Sequence, residues 1–447
     1  MIDSAIFGHQ WATQGSRALF SEQQRVQRWV SVLAALARAQ ASLDIIPSAA
    51  AQEINELVGQ AIDLPAVAEQ TQRTSHSTLG LIRVLQTMLP EPAREHVYFG
   101  VTVQDVTDTS MVLEMAQVGN MIWADLRAIE QTLLLLADEH ATTPMVGRTH
   151  GQPGAPITFG FKAASWADEI GRSLSRLDEL RDRVLVCQLG AAVGSLAFFG
   201  DDALALRSAF ARELGLGEPD ISWLTARDRL SEFANAIALA TTGLARVANE
   251  VFSLQRAEIG ELREATSDST VGSITMPHKR NPESSEQIVV LARLVRSRAA
   301  TLVETMVQEH ERDARGWKAE WAVFPELCHY ACAATAMSRS LVEGLEVDAD
   351  KMLTNLRSGS ADSEEMLRVL AAHVGKHRAQ DLLQQAYQEV APDGDLAGEL
   401  RRLLPVEVAT IELPKADTAK VGASEEMVHR VIGASHVRRA NEPESWC

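Results

Sequence analysis

FANAIALATTGLARVANEVFSLQRAEIGEL, from Phe233 to Leu262, contains no proline, and its apolar residues recur at intervals of three and four. Leu239, Leu244, Val247 and Val251 progress along one face, with Ile237 and Ala240 beside them. That is a helical period sustained well beyond the average helix length. The other faces also carry Ala, Val and Leu, and a helix apolar nearly all round must be buried in a large bundle or between subunits.

Working outward, proline is also absent from Ile157 to Gly217 and from Glu283 to Phe324, and the same period runs through both intervals. The punctuation falls between them. Leu89-Pro90-Glu91-Pro92 closes a first helical region, Thr143-Pro144 precedes a Gly/Pro-rich loop, and Thr266 to Pro282 forms a second. After about Asp348 shorter helices follow, broken by the turn signal Pro392-Asp393-Gly394, and SHVRRANEPESWC from Ser435 reads as a frayed tail. The expected fold class is all-α: an N-terminal helical domain over 1–108, a central long-helix bundle over 109–347, and a C-terminal helical domain and tail over 348–447.

The 447 residues are too many for one ordinary domain. With 42 basic and 60 acidic residues the formal net charge is -18, which gives no general attraction for a phosphate backbone and argues against nucleic-acid binding. The 46% hydrophobic fraction excludes disorder as the main state. No stretch approaches the roughly 18 uninterrupted apolar residues of a membrane span, and no signal peptide is visible in MIDSAIFGHQWATQG. Four cysteines are too few for a disulfide framework at this length. Cys328, His329 and Cys332 share a helical face, but they lack a second ligand pair, so they read as core residues rather than a metal site. A reduced, cytoplasmic protein is expected.

Between two helical regions lies Gly272-Ser273-Ile274-Thr275-Met276-Pro277-His278-Lys279-Arg280-Asn281-Pro282. It combines a hydroxyl, a lysine able to stabilise its alkoxide, and an amide able to bind a carboxylate oxygen. Such a group suits removal of a proton next to a carboxylate, a step whose dianion needs preorganised donors and positive charge. GSITMPHKRNP resembles the signature loop of the fumarase/aspartase superfamily, G-S-S-x-M-P-x-K-x-N-P. The resemblance makes Ser273 the catalytic base, with Lys279 beside it and Asn281 and Met276 in the substrate site; the second serine is Ile274 here.

Two further segments are similar to that family in order and spacing. GRTHGQPGAPITFG, Gly147 to Gly160, looks like its second loop, so Thr149 is implied as a substrate contact and His150 as a proton carrier. Glu286 stands where the family pairs a glutamate with this histidine, and a carboxylate beside an imidazole raises its pKa and fixes its orientation. His96 to Thr109 resembles the G-x-T-S-x-D-x-x-D-T element, matched at Thr102, Asp105, Asp108 and Thr109, with Val103 in place of the serine that donates to a substrate carboxylate. Thr74-Ser75-His76-Ser77 falls at a substrate-facing turn of the relatives, where Ser75 and His76 line the site or cap a helix.

The resemblance spans roughly Met1 to Leu404. It implies an all-helical three-domain subunit, a homotetramer with a twenty-helix core, and active sites that take one signature loop from each of three subunits. It implies no metal and no organic cofactor, and a small polycarboxylate as substrate. EHERDARGWKAEWAVFPEL, from Glu309 through Arg312, is similar to the 3-carboxy-cis,cis-muconate cycloisomerases, as is Gln104-Asp105; Gln104 and Arg312 join the substrate-binding set on that ground. Trp317, Lys318 and Trp321 stand where adenylosuccinate lyases place phosphate donors, and two indoles cannot replace those. His150 and His76 are closer to the adenylosuccinate lyases. Cycloisomerisation is therefore expected first and a fumarate-releasing C–N or C–O lyase second. A non-catalytic scaffold is third, opposed by the joint presence of Ser273, Lys279, Asn281, His150 and Glu286.

Overall fold

The computed structural model describes residues 1–266, 275–276, 278–358, 363–390, 395–406, 408, 410–414 and 420–447. Ser273, Ile274 and Pro392-Asp393-Gly394 lie outside the described residues.

The chain is mostly helical. Its N-terminal part comprises α1 (Gln14–Leu19), α2 (Glu22–Ala41), α3 (Ser48–Asn55), α4 (Leu64–Thr74), α5 (Leu79–Met88) and α6 (Ala93–His96). The long helix α7 (Val103–Glu139) leads to a hairpin of β1 (Pro144–Thr149) and β2 (Gln152–Thr158), then α8 (Phe159–Val184), α9 (Ala203–Leu214) and α10 (Asp228–Leu254). After β3 (Leu262–Arg263) come α11 (Glu283–Glu304), α12 (Ala314–Glu343), β4 (Glu346–Val347) and α13 (Ala349–Ser358). The remainder holds α14 (Ser363–Val374), α15 (Lys376–Glu389), α16 (Leu396–Leu403) and α17 (Ser424–Arg439). Among the described residues no helix is long and apolar enough to cross a membrane.

The largest core joins α7, α8, α10, α11 and α12, with Trp123, Trp166, Phe233, Ile237, Val295 and Leu327 at its centre. A second core packs α2, α3, α5 and α9, and a third holds α14, α15 and α16 together. Within α10 the buried face runs through Ile237, Leu244, Val247 and Val251, as the period requires. Leu239 does not belong to it and is 57% exposed. At 100° per residue it sits 200° from Ile237, so the face read from the sequence was one residue too generous. Leu135 on α7, Phe252 on α10, and Val290 and Val303 on α11 are exposed as well.

The tail is not frayed. Helix α17 lies along α7 and α8, and Trp446 is fully buried beyond it. Its indole packs over Gly119, where even a methyl group would collide with the ring, and its Nε1 donates to Leu177 O at 2.7 Å. Arg438 and Arg439 both pair with the buried Glu130. The sequence hid this because the receiving groove, built around Gly119 and Glu130, lies some three hundred residues upstream of its ligands.

The cysteine cluster is core. Cys328 and Cys332 are buried in the central bundle and His329 Nδ1 lies 3.0 Å from Ser16 Oγ. Burial pushes the Cys332 thiol up to about 12 and the His329 imidazole down to about 4.

Candidate active site

The first turns of α7 are hydrogen-bonded to several distant segments of the chain. Thr102 is its N-cap, in extended conformation, and Asp105 at N3 accepts from the Thr102 backbone N–H at 2.9 Å. The same carboxylate accepts from Gly190 N at 2.8 Å and Ala191 N at 3.0 Å, so it also fixes the loop after α8. Burial nevertheless dominates, and Asp105 is raised to about 7. Thr109 exchanges hydrogen bonds with the backbone of Gln188.

Asp108 belongs to a fully buried ionic knot. Arg227 holds it at 2.7 and 3.2 Å and holds Glu320 of α12 at 2.9 and 2.5 Å, while Trp317 Nε1 donates to Asp108 at 3.0 Å. Burial alone would lower the Arg227 pKa, but the two carboxylates more than offset it. Burial is also what raises Glu320. Two acids around one guanidinium bind three elements together, and such a unit is costly to break from either side.

Thr102 faces the other way. Its Oγ1 accepts from Arg312 Nη1 at 2.6 Å, and the Arg312 guanidinium lies 5.8 Å from the centre of the Trp317 ring. A hydroxyl and a half-exposed guanidinium side by side have the chemistry to bind a carboxylate. Val103, in contrast, is buried and offers only its carbonyl, to Thr107. Gln104, expected at the substrate, is fully buried at the second position of the helix: its Nε2 donates to Leu224 O at 2.7 Å and its Oε1 has no partner among the described residues.

The second loop is a β-hairpin, a conformation its Gly/Pro content did not announce. Thr149 pairs with Gln152, leaving His150 and Gly151 as the two turn residues, with φ of 53° and 77°. Positive φ at both positions is the condition of a type I′ turn, whose twist matches the flanking strands. Thr149 and His150 are therefore presented on an exposed tip. The stem is fastened below it: Arg148 makes a bidentate pair with the buried Glu261 at 2.8 and 2.6 Å, and Asn355 donates to the same carboxylate.

The third loop is anchored at its neck. Gln255 Oε1 accepts from Glu264 N at 2.8 Å and its Nε2 donates to Arg280 O at 3.3 Å. The Glu264 carboxylate accepts from Ser284 N and Ser285 N, so it caps α11. Lys279 and Met276 are exposed, and Lys279 N donates to Met276 O. Asn281 reaches Glu283. Glu286, in the first turn of α11, is exposed, and no ion pair joins it to His150 within the chain. Ser75 is the left-handed cap at the end of α4, and His76 Nδ1 accepts from Leu79 N at 3.2 Å and Thr78 N at 3.4 Å, so this turn does cap a helix, with both residues exposed.

One chain thus brings Thr102, Arg312 and Trp317 together and leaves the hairpin tip, Lys279 and Glu286 exposed. Sequence reasoning missed Arg227, Glu261, Gln255 and Glu264. No spacing marks them, and their only signal is charge or amide beside helix ends. It also missed a cleft of about 620 Å³ between α2, α4, α7 and α12.

A family model described as lyase matches residues 10–296. The chain is 38% identical over 386 residues to the N-acetyl-S-(2-succino)cysteine lyase of Dickeya dadantii, covering 86% of this chain and 85% of that protein. It is 37% identical over 375 residues to the 3-carboxy-cis,cis-muconate cycloisomerase of Pseudomonas aeruginosa, covering 83% and 82%. The solved 3-carboxy-cis,cis-muconate lactonizing enzyme from Pseudomonas putida superposes with a TM-score of 0.89 at 33% identity, over 98% of this chain and 100% of that one.

Proposed function

The chain belongs to the lyase family of the fumarase/aspartase superfamily, and from that premise we propose that it releases fumarate from a succinyl group carried on a heteroatom. The observation that carries this reading is the Thr149-His150 tip held out on a fastened hairpin. Elimination needs two proton carriers, one to take the proton from carbon and one to serve the departing heteroatom. Addition of a carboxylate to its own double bond needs only one.

In the proposed reaction Thr102 and Arg312 bind one carboxylate of the succinyl group, with Thr149, Lys279 and Asn281 on the other. Ser273, as alkoxide, removes the proton from the methylene next to that second carboxylate. The electron pair is held as an aci-carboxylate by the cation and amide of the loop. It then returns to form the double bond as the carbon–heteroatom bond breaks, and His150 protonates the leaving group, which departs as thiol or amine. Glu286 supports His150 across a subunit boundary in a homotetramer, which would also cover the exposed Leu135, Leu239, Val290 and Val303. The curated relatives at 38% and 37% identity named for the succinylated thioether support sulfur as that heteroatom.

Lactone-forming cycloisomerisation is the second reading. It is favoured by Trp317 and Trp321 at positions where nucleotide-binding relatives need phosphate donors, and by the muconate relatives. Purified protein incubated separately with N-acetyl-S-(2-succino)cysteine and with 3-carboxy-cis,cis-muconate decides between them. Fumarate from the first, abolished by Ser273→Ala, is the expected result. Loss of the diene absorbance from the second, with no fumarate from the first, reverses the order, and full turnover by Ser273→Ala removes Ser273 as base.

A further inference from the structure

The cleft between α2, α4, α7 and α12 lies outside the carboxylate-binding residues, and its chemistry is different. Along α7 it is lined at intervals of three and four by Thr107, Ser110, Met111 and Glu114, and its opposite walls carry Trp29 and Trp321. The charges on its lining are already engaged: Glu114 with Arg28, Glu320 with Arg227, and Arg25 with Glu22. What remains is mostly apolar and aromatic surface, with the polar side chains of Thr71, Gln72, Ser77, Thr107 and Ser110 along it, and one of these stands apart. Ser110 Oγ is buried, its residue is 1% exposed, and it has no hydrogen-bond partner. A buried polar group without a partner marks a position where an incoming acceptor or donor is welcome.

The cleft is connected to the carboxylate-binding turn by a continuous stack. Thr102 Oγ1 meets Arg312, the guanidinium covers Trp317, and the Trp317 ring packs edge-on against Trp321 with centroids 4.6 Å apart. Trp321 is itself part of the cleft wall. A volume of about 620 Å³ falls in the range of small-molecule pockets, roughly 300–1,000 Å³.

We propose that this cleft binds an apolar group on the leaving-group side of the substrate, such as an aryl or short acyl substituent, with the buried Ser110 hydroxyl as a polar contact. The proposal rests on the elimination reading above. It makes Trp321 and Ser110 specificity-determining residues that touch the substrate away from the reacting atoms. An aromatic or branched substituent excludes water from the cleft, whereas a methyl leaves it wet.

Two thioethers of mercaptosuccinate, S-benzyl and S-methyl, test this. Fumarate release should favour the benzyl compound by at least about tenfold in kcat/KM, the scale on which an apolar pocket discriminates. Ala68→Trp, at an exposed position of α4 on the cleft rim, should bring that ratio close to one. The ratio is the readout, so a general loss of activity does not obscure it. Calorimetric binding of both thioethers to the Ser273→Ala protein gives the same comparison without turnover. Fumarate from both compounds at equal kcat/KM, as a cleft filled by a partner subunit would give, overturns the pocket and leaves the elimination reading standing. Fumarate from neither removes that reading, and the calorimetric ratio then decides the pocket: tenfold supports it, unity overturns it.

Discussion

The start of α7 and the tip of the β1–β2 hairpin are both signature loops, yet the fold treats them in opposite ways. Around Thr102–Thr109 nearly every side chain is buried and already bonded inside the chain, through Asp105 to Gly190 and Ala191 and through Asp108 to Arg227. At the hairpin only the stem is secured, by Arg148 and Glu261, and Thr149 and His150 project into solvent. Shared motif residues in the first loop therefore serve mainly to hold a helix start in place and leave Thr102 and Arg312 as its partly exposed polar pair. In the second the motif residues themselves are exposed, on the proposed reading to meet partners from outside the hairpin.

The contrast breaks most visibly at Arg227. Arg227→Met leaves Asp108 and Glu320 buried without a counter-charge and should cost about 3–5 kcal/mol in denaturant unfolding; a loss below about 1 kcal/mol would mean the knot is not what fixes the first loop. His150→Asn asks the reverse question of the tip. Asparagine tolerates the left-handed conformation, so the melting temperature should hold or rise while turnover falls by about 10²–10⁴, as expected for loss of a proton carrier. A drop in stability of the size seen at Arg227 would erase the distinction.

Smaller effects sharpen it. Thr102→Val deprives Arg312 of its acceptor at 2.6 Å and should raise KM about tenfold with a lesser change in kcat, measured on whichever substrate proves active. A pH dependence at Asp105 tests the first loop separately, because its native pKa lies near 7 against an ordinary 3.8, burial disfavouring its charge. The folded chain holds this proton more tightly than the unfolded one. Its contribution to stability is therefore full below 3.8 and is lost as pH rises through about 7. Asp105→Asn should flatten that part of the unfolding-midpoint profile.

The same contrast explains what could be read from the amino-acid sequence. The run from Phe233 announced its helix because a 3.6-residue period is a local property, although the helix ends at Leu254 and the last eight residues to Leu262 leave it; GSITMPHKRNP and GRTHGQPG stood out because their chemistry is concentrated in a few adjacent positions. Arg227 could not be seen, since a guanidinium in TARDRL looks like any surface cation until two acids from distant helices close on it. Gln104 is a related case: its position close to Thr102 in the chain does not reveal that its amide is buried and donates to Leu224 O. The hairpin was hidden because two turn residues, not the strands, determine it. Ser273 remains a reading of the motif.

Trp446 sets an order of events on synthesis. Its seat over Gly119 and against Leu177 O is part of the central core, but the indole is made 327 residues after that glycine. At about 5–20 residues per second, the groove on α7 waits roughly 15 to 65 s for its occupant. The bundle therefore cannot finish closing as it emerges: its last keystone arrives after every long helix has left the ribosome, and until then an apolar slot stands open on a nascent chain.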